Sequence, residues 1–132
     1  MGVIGIFFGL AACAILHANN LQDILIDQAR GAVTLASSIG FRKSKQLFAL
    51  IYLGAYLALA LGAAATFLPI IAVIPTLGAL PAIVKTILKV FKASGPESAI
   101  LTLIRVEAAQ LHLLMGATLA VGLIAARWNP WR

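Results

Sequence analysis

Only 11% of the 132 residues carry charge, no more than four are acidic, and there is one cysteine. The lone Cys13 excludes an internal disulfide and a cysteine-rich metal centre, and it is expected as a packed, inert thiol. Soluble domains carry about 25% charged and about 45 to 50% apolar residues, whereas this chain is 62% hydrophobic with a mean hydropathy of +1.04. That composition places it in a membrane. No charge at all falls between residues 46 and 84, too long a run for one membrane span and the right length for two. Repeats of fixed period, low-complexity tracts and linkers are also absent, so a single domain over 1–132 is the expected organisation.

The formal charge of +6 comes from ten basic residues. They flank the apolar runs and do not form a continuous basic surface with interleaved aromatics, so nucleic acid is not an expected partner. Eight of them (Arg30, Arg42, Lys43, Lys45, Lys85, Lys89, Lys92 and Arg105) fall in the two segments on one side of the apolar runs, with Arg127 and Arg132 on the other. By the positive-inside rule the eight are cytoplasmic and both termini face outward. Leu10-Ala11-Ala12-Cys13 has the look of a lipoprotein cleavage box, but no basic residue precedes it, so the opening segment is expected to stay as a helix.

Four spans are expected, making an all-α, multi-pass helical bundle. The first runs from residue 2 to about residue 22. The second and third divide residues 46–84 at a turn marked by Thr66, Phe67 and Pro69. The last is the uncharged stretch 108–126. Gly54, Ala58 and Gly62 form a small-residue stripe suited to close helix packing, and Gly5 and Gly9 form a second such pair. Pro75 and Pro81 should kink the third span, leaving carbonyls to be satisfied inside the bundle or in a wet cavity. Lys85, Lys89 and Lys92 share a face of a helix that leaves the membrane through the headgroups. Ser94-Gly95-Pro96-Glu97 reads as a capping box that starts the next helix. Trp128 and Trp131, with Arg127 and Arg132, form an interfacial belt.

The chemistry concentrates in residues 19–35. Asp23 and Asp27 stand four apart, one above the other on a helix, with Asn19 one turn earlier and Arg30 three residues later. Two carboxylates at that spacing repel, and a cation between them reverses the sign. Magnesium suits the pair because it takes one or two carboxylates, keeps waters and fills its remaining positions with phosphate oxygens. The face therefore points to a metal–diphosphate site opening to the cytoplasm. His17, one turn before it, has no second histidine or cysteine nearby and is expected as a hydrogen-bonded packing residue. Gln110 and His112, polar residues entering the last span, are further site candidates. The cluster Arg42, Lys43 and Lys45 is read as an anchor beside a span in preference to a diphosphate grip.

These residues resemble the UbiA-type intramembrane aromatic prenyltransferases, and within them the menaquinone branch. Ala14-Ile15-Leu16-His17-Ala18-Asn19-Asn20-Leu21-Gln22-Asp23, followed by Asp27, Gly31 and Thr34-Leu35-Ala36, looks like the second aspartate-rich motif of that branch. Ala109-Gln110-Leu111-His112-Leu113-Leu114-Met115-Gly116 looks like the start of its last helix. The resemblance implies the C-terminal part of a nine-helix fold, with the first aspartate motif absent from this sequence. It implies Mg2+ held by Asp23 and Asp27, and a polyprenyl diphosphate and aromatic acceptor met by Asn19, Asn20, Arg30, Gln110 and His112. Ionisation of the donor C–O bond, then attack by a ring carbon of 1,4-dihydroxy-2-naphthoate, is the implied reaction. Gln22 stands where an arginine is usual and Ala32 where a lysine is often found, and both changes weaken the diphosphate grip.

The expected localisation is a bacterial plasma membrane. The partners expected are the bilayer, the two substrates and a missing N-terminal half or partner chain, without which this chain is expected to be inactive. Two other readings fit the length and span count: a small four-span transporter, and a non-catalytic remnant or interaction subunit. A proton-coupled transporter places its acid at membrane depth facing a pathway, whereas Asp23 and Asp27 sit at a span end behind two asparagines.

Overall fold

The structure, a computed structural model, describes residues 2–65 and 67–128. Thr66 of the expected turn, and Trp131 and Arg132 of the expected belt, lie outside the described residues. Seven α-helices follow in order: α1 (Gly2–Gln22), α2 (Ile24–Ala29), α3 (Leu35–Ile39), α4 (Phe41–Ala64), α5 (Ile70–Val73), α6 (Leu80–Lys92) and α7 (Ile104–Arg127). A 3-10 stretch, Ile74–Ala79, joins α5 to α6, and another, Ala99–Leu103, leads into α7. Four helical segments are long and apolar enough to cross a bilayer: Gly2–Gln22, Phe41–Ala64, Ile70–Lys92 and Ala99–Arg127. The chain is thus an all-α membrane bundle.

Residue contacts along the helices give an up-down-up-down course. α1 runs against α4 with His17 beside Ser44, Leu10 at Gly54 and Val3 at Gly62. α4 runs against the third span with Tyr56 on Thr76 and Lys45 on Ala93. That span runs against α7 with Ala72 at Gly122 and Lys89 on Glu107. The shared core is small and tightly drawn: Phe7, Ala11, Ala14, Ala18 and Leu21 of α1, Phe48, Tyr52, Ala55 and Leu59 of α4, and Ala108, Leu111, Met115 and Leu119 of α7. Outward, Leu50, Leu53, Leu57 and Leu61 of α4 and Leu113, Val121 and Ile124 of α7 are exposed. An apolar outer surface of that extent fits lipid and would be an aggregation liability in water.

Small residues set the helix spacing, though not at every expected place. Gly62 and Gly54 accept Val3 and Leu10 of α1, as the stripe on α4 predicts. A side chain at Gly122 would overlap the Ala72 backbone, so α5 and α7 touch main chain to main chain there. Gly5 and Gly9 are exposed, with open space where a side chain would stand, and among the described residues no helix packs closely against them. Cys13 is exposed rather than packed, because the inward stripe of α1 passes through positions 11, 14 and 18 and misses it.

The proline effect is larger than a kink. Pro75 and Pro81 bracket a full 3-10 stretch, in which the Leu80 N–H bonds the Leu77 carbonyl three residues back. The Thr76 carbonyl instead accepts the Tyr56 hydroxyl at 2.7 Å, so a freed backbone group is satisfied within the bundle. The expected capping box at residues 94–97 does not form: helix resumes after Ser98, and the Glu97 carboxylate folds back against Gly95. Between the first two spans lies a short helix, α3, capped by reciprocal Thr34 and Ser37 bonds.

Candidate functional site

α1 carries the polar face to the end of the first span and then breaks at Asp23, whose backbone (φ −93°, ψ 7°) leaves the helical region. The break is shallow. Asp23 N–H still bonds the Asn19 carbonyl at 3.0 Å, and Asp27 N–H bonds the Asp23 carbonyl at 2.8 Å, so the four-residue register passes through it. Asn19, Asp23 and Asp27 therefore succeed one another at one-turn intervals, although on two helices and not on the single one expected. Asp23 occupies the N-cap of α2 without using its side chain as a cap. Among the described residues no lysine or arginine lies within 4 Å of either carboxylate, leaving both free to take a cation.

The far end of α2 is fixed by Gly31, at φ 69°, where a left-handed residue is needed. Ala32 N–H returns to the Asp27 carbonyl at 2.8 Å and Gly31 N–H to that of Gln28 at 3.1 Å, the bond pair of a Schellman stop. The stop ends the helix just past Asp27 and turns the chain outward at Arg30, which is exposed. Upstream, His17 is buried and its Nε2 donates to the Ser44 carbonyl at 2.9 Å. That bond ties α1 to α4, the packing role expected of it, and Ser44 Oγ in turn reaches the Ala36 carbonyl at 3.3 Å. The platform under the aspartates is thus α1, α3 and α4 bonded together.

Asn19 is the informative neighbour. Its Oδ1 is buried and, among the described residues, has no hydrogen-bond partner. An orphaned buried acceptor is uncommon and costs about 1 to 3 kcal/mol unless something supplies a donor or a cation. Amide and carboxylate oxygens are hard donors of the kind magnesium takes, so the residues present fit that ion. Among the described residues no group of three or more His, Cys, Asp or Glu side chains is placed to hold a metal. An ion here would need substrate oxygens and water to complete its shell.

The remaining candidates are dispersed. Asn20 is partly buried beside Asn19 in α1. Gln110 lines a cleft of about 340 Å³ between α6 and α7 with Lys85, Thr86, Lys89 and Glu107, to which neither α1 nor α2 contributes. His112 lies on another side of α7, its ring edge-on to Phe8 with centroids 5.6 Å apart and its Nδ1 buried without a partner among the described residues. Phe8 is fifteen residues from Asp23, about 22 Å along a helix, so His112 and the aspartate face are not neighbours. Lys45 anchors the bundle itself: its ammonium donates to the Ala93 carbonyl at 2.9 Å and sits 4.8 Å from the centre of the Phe41 ring. Lys89 pairs with Glu107, which also accepts from Thr86. The partnership was not readable from sequence, since eighteen residues separate the pair.

Over 48 residues the chain is 44% identical to the UbiA prenyltransferase domain-containing protein 1 of Dictyostelium discoideum, a match covering 36% of this chain and 14% of that protein. The similarity supports the UbiA family. No family model and no solved structure matches the chain.

Proposed function

We propose that the chain supplies the C-terminal spans of a UbiA-type prenyltransferase and presents the half of a diphosphate site formed by Asn19, Asp23 and Asp27. The observation that carries this reading is the buried, partnerless Oδ1 of Asn19, one turn before two uncompensated carboxylates. The local likeness to a UbiA-domain protein supports the same class of chemistry.

On this reading Asp23 and Asp27 would hold the metal through their carboxylates, with the amide oxygen of Asn19 as a further donor. Arg30, exposed past the Schellman stop, adds positive charge to the diphosphate. The chemistry a bound magnesium supplies is neutralisation of charge on the departing diphosphate. The donor is a polyprenyl diphosphate and the acceptor an aromatic ring, of which 1,4-dihydroxy-2-naphthoate, in menaquinone synthesis, is the one proposed. The cytoplasmic end of a plasma membrane is the proposed place of reaction, because water-soluble metal and diphosphate heads reach it there.

The experiment is magnesium-dependent binding of a polyprenyl diphosphate, read by calorimetry on the detergent-solubilised chain joined to spans bearing a first aspartate motif. Asp23→Asn and Asp27→Asn are each expected to abolish the magnesium-dependent component, while His17→Ala, which weakens packing alone, retains it. Unchanged binding in both aspartate variants overturns the site assignment.

A further inference from the structure

α6 carries a second polar feature that the aspartate site does not use. Pro81, Val84, Lys85, Leu88, Lys89 and Lys92 line a cleft of about 450 Å³ on its outer side, spaced by three and four residues so that they share one face. Along that face apolar and basic positions interleave, with Pro81 and Val84 at one end and Lys92 at the other. Pro81, Val84 and Leu88 form an exposed apolar run, with Val84 50% and Leu88 56% exposed. Lys92 ends the helix, where the other basic residues gather, and Lys85 lies two turns earlier, between Val84 and Leu88, on a stem long enough to carry its ammonium toward that end. Lys89 is neutralised by Glu107. Among the described residues neither Lys85 nor Lys92 has a carboxylate within 4 Å, so two ammonium groups stand uncompensated along an apolar groove on the outer side of α6. The adjoining cleft between α6 and α7 shares Lys85 and Lys89 and adds the exposed amide of Gln110 as a donor.

We propose that this face of α6 is a binding site for one anionic phospholipid, its phosphate held by Lys85 and Lys92 and an acyl chain lying over Val84 and Leu88. The face offers such a lipid both things it needs, ammonium groups for the phosphate and, at Pro81, Val84 and Leu88, exposed apolar surface for a chain. A water-soluble phosphate would use the ammonium groups and leave the groove empty. Lys89 and Glu107 serve as a fixed wall, since their pairing neutralises a carboxylate that would otherwise repel the headgroup. The site uses none of the aspartate-site residues, though on the prenyl-transfer reading it requires that the further spans pack on other faces of the bundle.

The test is native mass spectrometry of the full chain released from detergent with equimolar phosphatidylglycerol and phosphatidylcholine. Preferential retention of one phosphatidylglycerol is expected. Each of Lys85→Gln and Lys92→Gln should lower that preference roughly fivefold, the factor corresponding to about 1 kcal/mol per basic residue at an anionic surface. Lys43→Gln, an equal charge loss at the same end, should not, and circular dichroism establishes that all variants remain folded. Leu88→Gln should weaken retention of the long-chain lipid while leaving inorganic phosphate without effect. Equal retention of the two lipids, an equal loss in Lys43→Gln, or displacement of the lipid by millimolar phosphate or by an equimolar prenyl diphosphate would each overturn the proposal.

Discussion

Asn19 carries the sharpest consequence at the scale of single residues. Its buried Oδ1 lacks a partner, and such a group is tolerated where a ligand supplies what the fold does not. Replacing it by the apolar, similarly sized leucine removes the orphan, so Asn19→Leu should leave the metal-free protein as stable as before or more stable by about 1 kcal/mol. The same variant should lose the stabilisation that magnesium and a prenyl diphosphate together confer on the unsubstituted site. Thermal unfolding in detergent, with and without the pair, reads both effects, and retained ligand stabilisation in Asn19→Leu would remove Asn19 from the site. Tyr56 offers a contrast, because its hydroxyl already bonds the Thr76 carbonyl. Tyr56→Phe should cost about 1 kcal/mol by leaving that carbonyl short of a donor, with no change in ligand dependence.

At the scale of elements, the third span is the least regular and depends most on close contact. Its α5 portion has four residues, too few to persist alone, and it is held where Gly122 of α7 lets the Ala72 backbone approach. Gly122→Ala should therefore force α5 away and destabilise the bundle by about 1 to 3 kcal/mol, as overpacking does. Gly5→Ala, in open space, should be neutral or slightly stabilising, because alanine has the better helix propensity. Chemical unfolding of the two variants side by side checks the contrast, and equal effects would mean that the approach at Gly122 does not matter.

For the whole molecule, the course of the helices gathers eight basic residues and both aspartates at one end of the bundle. That end is expected to be cytoplasmic. With the exposed native thiol removed by Cys13→Ala, a cysteine placed at residue 43 should react with an impermeant maleimide only from the cytoplasmic side; labelling from outside alone would reverse the orientation. The 132-residue chain by itself should yield no prenylated product from magnesium, a polyprenyl diphosphate and dihydroxynaphthoate. A diphosphate departs with several negative charges that need neutralising in the transition state. Two carboxylates and one amide oxygen hold too little metal for that, and no second acidic motif is present in the sequence. Sustained turnover, measured by mass spectrometry, would show that this half-site suffices.

Apolar run lengths and charge placement determined the four spans and the small-residue stripe at Gly54 and Gly62. The one-turn spacing of Asn19, Asp23 and Asp27 was legible too, since it depends on residues a few positions apart. Only the tertiary structure decided the rest. That Lys89 faces Glu107 and Lys45 closes on Ala93, that His112 turns to Phe8 and away from the aspartates, and that Cys13 looks outward all depend on the rotation of one helix against another. Neighbouring positions on an apolar helix are nearly equivalent in hydropathy when lipid lies outside and protein inside. Packing of small residues therefore sets that rotation, and it is encoded across helices, not along them.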